Sequence, residues 1–540
     1  MPYVVTQSCC SDASCVYACP VNCIHPTPDE PDFLTAEMLY VDPQACVDCG
    51  ACATACPVDA ITSSKRLTAE QKPFIEINAD FYRQSRPRPL LARPVPAAAV
   101  AAGREPLRVA IVGSGPSAMY AADELLTQPG VTVTVFDRLP VPYGLARHGV
   151  APDHTRTRQV SRLFDVISAQ PGFGSYLNVT VGRDISHAEL LEHFHAVIYA
   201  VGASADRKLE IPGEGLPGSV SATEFVAWYN GHPDHADRRF DLSQRRAVIV
   251  GNGNVALDVA RILTSDPALL AGTEVSSVAL DALRHSKVEE VVVVGRRGPA
   301  ESAFTVPEFV GLLGADVDIE VEGEVPEPVP GMSQKVEQKL RLLREAAARP
   351  PRGRKRIVFR YLSAPTALIG TDRVGGIELT RTELSTDADG VVRALPTGET
   401  ETLDAGLVLA SVGYRGVALP GLPFDERRGV VPNREGRVLS GESGLPATES
   451  DLPGAEAFLP GTYVTGWIKR GPTGFIGTNK SCAQQTVRLL VDDFNTGRLA
   501  EPHRDAADFD RLVDTRRPGA IRGGAAARPW WKRKLLARSV

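Results

Sequence analysis

The sequence predicts a small α+β module joined to an α/β body, the body holding two doubly wound parallel-sheet domains with one inserted in the other. Three observations carry this expectation. Nine of the ten cysteines lie between Cys9 and Cys56. A stretch of five prolines, six alanines and five arginines follows at 83–106. Beyond it, a short apolar run passes through a glycine turn into helical spacing twice, at 107–126 and 246–263.

The chain has 540 residues, 43% hydrophobic and 23% charged, enough for three or four domains of roughly 150 residues. Collagen-like, disordered and small disulfide-scaffold classes are excluded by this balance. No apolar run approaches the ~18–20 residues needed to span a bilayer. The first residues lack a basic segment followed by an apolar one, so no secretory signal is expected and the predicted location is cytoplasmic. Charge is segregated: residues 1–82 hold 11 acids and 3 bases, whereas the rest is nearly neutral with 54 and 56. An acidic head on a neutral body argues against nucleic acid as a partner.

In a cytosolic protein a dense cysteine cluster reads as cofactor ligands rather than disulfides. Cys46-x2-Cys49-x2-Cys52-x3-Cys56-Pro57 places three sulfurs around one iron–sulfur cluster and sends the fourth to another. The complementary group is Cys9-x2-Asp12-x2-Cys15-x3-Cys19-Pro20, with an aspartate at its second position. The pattern assigns Cys19, Cys46, Cys49 and Cys52 to a 4Fe-4S cluster, and Cys9, Cys15 and Cys56 to a second one. Three thiolates suit a 3Fe-4S form; alternatively Asp12 supplies a carboxylate to a fourth iron. Cys10, Cys23 and the distant Cys482 read as small buried residues. The 83–106 segment reads as an extended, semi-rigid linker.

Gly113-x-Gly115-x-x-Ala118 follows the strand at 107–112 and opens a helix. Its first glycine permits a tight turn, its second lets the backbone approach a pyrophosphate, and Ala118 allows close helix packing. Asp137 ends the next strand 22 residues after Gly115, where a carboxylate can take ribose hydroxyls. The second turn, Gly251-x-Gly253-x-x-Ala256, has no such acid; its next strand ends in Arg296 and Arg297. Guanidinium groups suit a 2′-phosphate. Two turns of different type imply two dinucleotides, FAD held tightly and NADP exchanged. The 45 residues from Gly251 to Arg296 exceed the usual unit, so an insertion is expected around 266–288.

The head, with PYVVTQSC, CVDCGACATACPVDAI and FIEINADFY, resembles the seven-iron bacterial ferredoxins, although its first cysteines have the shorter eight-iron spacing around Asp12. The body, with PVPYGLARHGVAPDH, GNGNVALDVARIL, GRRGPAESAFTVPE and GTYVTGWIKRGPTGFIGTNK, resembles the adrenodoxin-reductase-type ferredoxin–NADP reductases. The whole chain is similar to the actinobacterial fusion of the two. The resemblance implies a ferredoxin-like fold for 1–82 and two glutathione-reductase-like dinucleotide-binding domains: FAD-binding at 107–203 and 404–515, NADP-binding at 204–403, then a basic tail at 516–540. It further implies that Leu145, Trp467, Gly474, Phe475 and Ile476 lie along the flavin, Gly474 leaving room for the nicotinamide. Asn252, Gly253, Asn254 and Val255 would hold the NADP pyrophosphate; Arg207, Arg296 and Arg297 the 2′-phosphate; Glu308 would lie near the NADP. His154 matches the family's active-site histidine, whose partner acid in relatives sits three residues after the Glu308 position. Here that residue is Gly311, so the ion pair is missing or rebuilt.

The activity expected is that of an NADPH-dependent ferredoxin reductase, a flavoprotein passing electrons from NADPH through FAD to iron–sulfur clusters, a separate ferredoxin or another one-electron acceptor. The alternatives are an electron-input subunit of a larger flavin and iron–sulfur oxidoreductase, or a protein that stores electrons or senses redox state.

Overall fold

The computed structural model describes residues 2–83, 91–92, 96–104, 106–440 and 458–524. In the head, two short helices, Ser14–Ala18 and Ala51–Ala55, each begin after a left-handed residue, Ala13 at φ 62° and Gly50 at φ 79°. Each ends at a cysteine followed by proline, which cannot continue a helix. The strands Tyr3–Val5 and Ile61–Ser63 pair antiparallel, as do Ile24–His25 and Tyr40–Val41. Buried Asn78, on helix Pro73–Asp80, ties these pairs together. Its Oδ1 accepts from the N–H groups of Val5 (3.2 Å) and Val41 (2.9 Å), and its Nδ2 donates to Val5 O (2.9 Å).

The body is built on two sheets, as the alternating apolar runs predict. In the first, the parallel strands Phe458–Val464, Ala196–Tyr199, Arg108–Val112, Thr132–Asp137 and Phe173–Leu177 lie side by side. In the second, all six strands run parallel: Ser219–Ser221, Leu407–Ala410, Arg246–Val250, Glu290–Val294, Arg356–Arg360 and Asp318–Glu322. Strands such as EVVVV, buried along their whole length, need helices on both faces. The chain crosses to the second domain at Ala205–Asp206 and returns at Tyr414–Arg415, and these two stretches pair antiparallel. The expected insertion forms two helices, Pro267–Leu270 and Ser277–Arg284. No helix among the described residues is long and apolar enough to cross a membrane.

One domain boundary shifts, and two segments are more ordered than their composition suggests. Leu407–Ala410 lies between two strands of the second sheet, so that domain extends to about 410 rather than 403. The run follows the long exposed strand Val392–Asp404 with no helical break, and only its pairing reveals its owner. Ile521–Gly524 of the basic tail adds an antiparallel strand beside Phe173–Leu177, with Arg522 on Asp514 (2.9 Å); Trp530 and Trp531 lie outside the described residues. The linker is also less free than its composition suggests. Ala98 and Val100 are small enough to seat on the first domain's core, while Asn495 bonds Ala99 O and Ala101 N, both at 2.9 Å.

The head packs on both nucleotide-type domains. Its apolar core is continuous with that of the second domain, and Cys10, Val58 and Ala60 join the core of the first. Helix Gln334–Ala348 presents bases to its acids: Lys339 to Glu37 (3.4 Å), and Arg341 to Glu76 (2.6 Å) and to buried Asp80 (3.1 Å). Glu37 also caps a helix N-terminus through Val306 N–H at 2.7 Å.

Candidate functional site

At the first turn, Gly113 has φ +102°, and a Cβ there would lie 2.5 Å from Ala200 O. Only glycine fits that approach. Gly115 is different: a Cβ there would meet no protein atom within 4 Å, so the N-terminus of helix Pro116–Leu126 opens onto free space. Ala118 is fully buried beneath it. Asp137 accepts from Ser114 N–H (3.0 Å) and the Ser114 hydroxyl on one oxygen and from Leu139 N–H (2.9 Å) on the other, which fixes its carboxylate while leaving a lone pair on Oδ1. Burial pushes that carboxyl upward against these bonds. Gly144, at the start of helix Gly144–His148, packs on Gly115, and the following Leu145 is exposed.

The strip after strand Phe458–Val464 is pinned to this turn. Asn479 holds the carbonyls of Phe475 (3.1 Å) and Ile476 (3.0 Å) and accepts from Ser117 at 3.3 Å. Trp467 donates to Thr473 O at 3.0 Å and tilts against Tyr414, with ring centres 5.3 Å apart. Gly474 has φ +83°, and a Cβ there would lie 2.3 Å from Thr478 Oγ1. The backbone and Thr478 thus require glycine here on their own account. Cys482 is half-buried, not core, and its sulfur accepts from Gly466 N–H at 3.3 Å.

The second turn repeats the first. Gly251 has φ +112° and presses on Ser411 O, and Gly253 opens onto free space at the N-terminus of helix Asn254–Thr264. Asn252 accepts from Ala303 N–H at 3.2 Å; Asn254 accepts from Thr305 N–H at 2.8 Å; Val255 is half-buried. Arg296 and Arg207 are exposed, Arg297 is half-buried, and none of the three makes an ion pair among the described residues. Elsewhere in the domain arginines close on acids: Arg246 and Arg356 on Glu290, Arg360 on Glu322 and Glu401. Arg296 and Arg297, unpaired just past the carboxyl end of strand Glu290–Val294, suit an oxyanion; Arg207 lies on the crossing segment just after Ala205–Asp206.

Between the two domains lies a buried charged junction that composition alone did not reveal. Arg261 of helix Asn254–Thr264 bonds Asp153 (2.7 and 3.1 Å), Asp258 (2.6 Å) and Glu308 (2.9 Å). His154 Nε2 lies 3.4 Å from both Asp258 and Glu308 and 2.6 Å from Arg261 Nη2. The ion pair that Gly311 removes is thus rebuilt. Burial and Arg261 oppose the imidazolium, Glu308 and Asp258 favour it, and the acids win, raising His154 to about 9. Glu308 is held below its usual range by His154 and Arg261 against its burial, whereas burial and Glu308 push Asp258 up. Gly311 itself faces the head: a Cβ there would meet the Gln7 side chain.

None of the ten cysteines is in a disulfide. Cys15 feels the charges of Cys9, Asp12 and Cys56; Cys52 feels those of Cys46, Cys19 and Cys49. Burial is the main cause that pushes Cys9 up to about 11 and Cys52 to about 12. Crowded thiols in such surroundings become thiolates when a cationic metal centre offsets their charge, so the donor sets fit iron–sulfur clusters. Asp12 is buried beside the first set, but its carboxylate already accepts from Ser14 N–H (3.3 Å) and the Ser14 hydroxyl (2.5 Å). Cys23, read from sequence as filler, lies 3.4 Å from Cys19 Sγ and favours its thiolate. Cys49 is exposed.

The comparisons agree with this layout. The profile of the pyridine nucleotide-disulphide oxidoreductase family matches residues 107–294, and that of the 4Fe-4S binding domain matches 39–62. The chain is 54% identical to a probable ferredoxin/ferredoxin–NADP reductase of Mycobacterium tuberculosis, covering 96% of this chain and 89% of that protein. It is 46% identical to the NADPH-ferredoxin reductase FprA of the same organism, covering 73% and 85%. The solved structure of Mycobacterium tuberculosis FprA in complex with NADPH is similar with a TM-score of 0.69 and 43% identity, over 77% of this chain and 92% of that one.

Proposed function

The chain belongs to the ferredoxin/ferredoxin–NADP reductase family, and from that premise we propose that it is an NADPH-dependent flavoprotein whose own cysteine-rich head receives the electrons. When bound, FAD accepts a hydride from NADPH and gives up electrons one at a time, which iron–sulfur clusters accept. The single observation that carries the reading is a pair of glycine turns, each with open space at a helix N-terminus, in a body on which the head is docked.

Gly113, Gly115 and Ala118 cradle the FAD pyrophosphate, Asp137 takes its ribose, and Leu145 with Trp467 and Gly474 to Ile476 shape the flavin's surroundings. Asn252 to Val255 receive the NADP pyrophosphate, and Arg207, Arg296 and Arg297 read its 2′-phosphate. His154 and Glu308 lock the two domains through Arg261; His154 positions and does not transfer a proton to substrate. The FAD domain comprises 107–203 with the chain after about 410, and the NADP domain comprises 204–410. Cys19, Cys46, Cys49 and Cys52 hold a 4Fe-4S cluster. Cys9, Cys15 and Cys56 hold a 3Fe-4S cluster, three thiolates matching three irons. Exposed Cys49 makes the four-thiolate site the outlet to a separate ferredoxin or other one-electron acceptor. The reducing cytoplasm suits this chemistry.

Low-temperature EPR of anaerobically purified protein, before and after NADPH, tests the assignment. It should give one three-iron signal in the oxidised protein and cluster reduction on NADPH addition. A flavin that bleaches with NADPH while the clusters stay oxidised would refute delivery to the head.

A further inference from the structure

Two buried hydroxyls at the head's first cysteine loop, Ser11 Oγ and Tyr120 Oη, the latter within reach of the charges of Cys10 and Asp12, have no hydrogen-bond partner among the described residues. The second is the more informative, because Tyr120 belongs to the body. It stands on helix Pro116–Leu126, the helix opened by the first glycine turn, and is 2% exposed. Its ring meets Phe164 edge-on at 5.7 Å, and it shares one core with Cys9, Cys10 and Cys56 of the head. The acids acting on its phenol are Cys10, Asp12 and Asp123, which with burial push it well above the usual range.

The head's first loop is held against the body by a close contact at the start of helix Thr478–Asn495. Gly477 N–H donates to Cys10 O at 2.7 Å, and a Cβ at 477 would lie 2.2 Å from both Ser11 C and Asp12 N. Ile476, on the strip assigned to the flavin, packs in the same core. A buried phenol donor without an acceptor is costly and calls for a specific explanation. The acceptor that the surroundings supply is sulfur on the group that Cys9, Cys15 and Cys56 would hold.

We propose that Tyr120 of the body donates its hydroxyl hydrogen bond to a sulfur of the cluster held by Cys9, Cys15 and Cys56, setting the potential of that cluster from the reductase side. The inference rests on the cluster assignment made above. A hydrogen bond to sulfur stabilises the reduced, more negative state and so raises the reduction potential. The body thereby makes the cluster lying against it the better acceptor, and does so only while the head is docked.

The test is an EPR-monitored redox titration of the purified holoprotein and of Tyr120→Phe, which removes one oxygen and keeps the ring. The three-cysteine cluster should shift tenfold toward its oxidised form at fixed ambient potential, which is about 59 mV downward for one electron. The four-cysteine cluster and the flavin should keep their potentials. In the parent protein, pulsed EPR after exchange into deuterium oxide should lose one strong proton coupling of the three-cysteine cluster. Unchanged potentials, equal shifts in both clusters, or no exchangeable proton near that cluster would each overturn the proposal. A parent protein without iron–sulfur signals would instead overturn the functional reading, and this inference with it.

Discussion

Replacing Arg296 and Arg297 together by alanine tests the cofactor choice most directly. Neither side chain is ion-paired among the described residues; their backbones bond through the carbonyls, Arg296 O to Thr382 and Arg297 O to Leu362. The substitution should therefore leave folding intact. A guanidinium–phosphate hydrogen bond is worth about 1.5–3 kcal/mol where water is excluded, and less at an exposed residue such as Arg296. About 2–3 kcal/mol for the pair is a reasonable sum, or roughly 30- to 150-fold in affinity. NADH has no 2′-phosphate and should lose less than about threefold on the same reasoning. Steady-state dye reduction with each nucleotide, at low and high salt, measures both, and the variant's NADPH affinity should depend less on ionic strength. Equal losses for NADPH and NADH would refute the 2′-phosphate assignment.

His154 is raised to about 9, above the ordinary histidine value, so its contribution is complete below pH ~6.5 and fades as pH rises through 9. Thermal unfolding should show a loss of at most about 3 kcal/mol over that window, absent in His154→Gln. Arg261→Leu strands Asp153, Asp258 and Glu308 in a buried junction and should cost about 3–5 kcal/mol, seen as an earlier melting transition. Gly477→Ala forces Ser11 and Asp12 of the head away. Stopped-flow traces should then show NADPH reducing the flavin at close to the parent rate while cluster reduction slows at least about tenfold, since transfer depends on placement.

The glycine turns and the cysteine spacing were readable because each imposes its chemistry within a few consecutive residues: a positive φ at Gly113 and Gly251, and a proline after Cys19 and Cys56. The junction around Arg261 was not. Asp258 and Arg261, three apart on a helix, look in sequence like an ordinary solvated pair, and only the packing of 153–154 and Glu308 against that face buries them. Leu407–Ala410 was given to the wrong domain because a parallel strand carries no mark of its neighbours. Tyr120 and Gly477 carried no sequence signal, since each acquires its role only where the head meets the body.

The antiparallel bridge of Ala205–Asp206 with Tyr414–Arg415 means that the polypeptide leaves for the inserted domain and comes home at one spot. Some two hundred residues thus hang from a single stalk, like a drawer on one runner. A genetic exchange of that whole cassette, cut at 204 and 416, would sever only one short ladder of the covalent path, but it must carry across the faces that meet Asp153, His154 and the acidic head. Nucleotide preference in this architecture is therefore portable only as a matched set, the inserted domain travelling with the contacts that seat it on its neighbours.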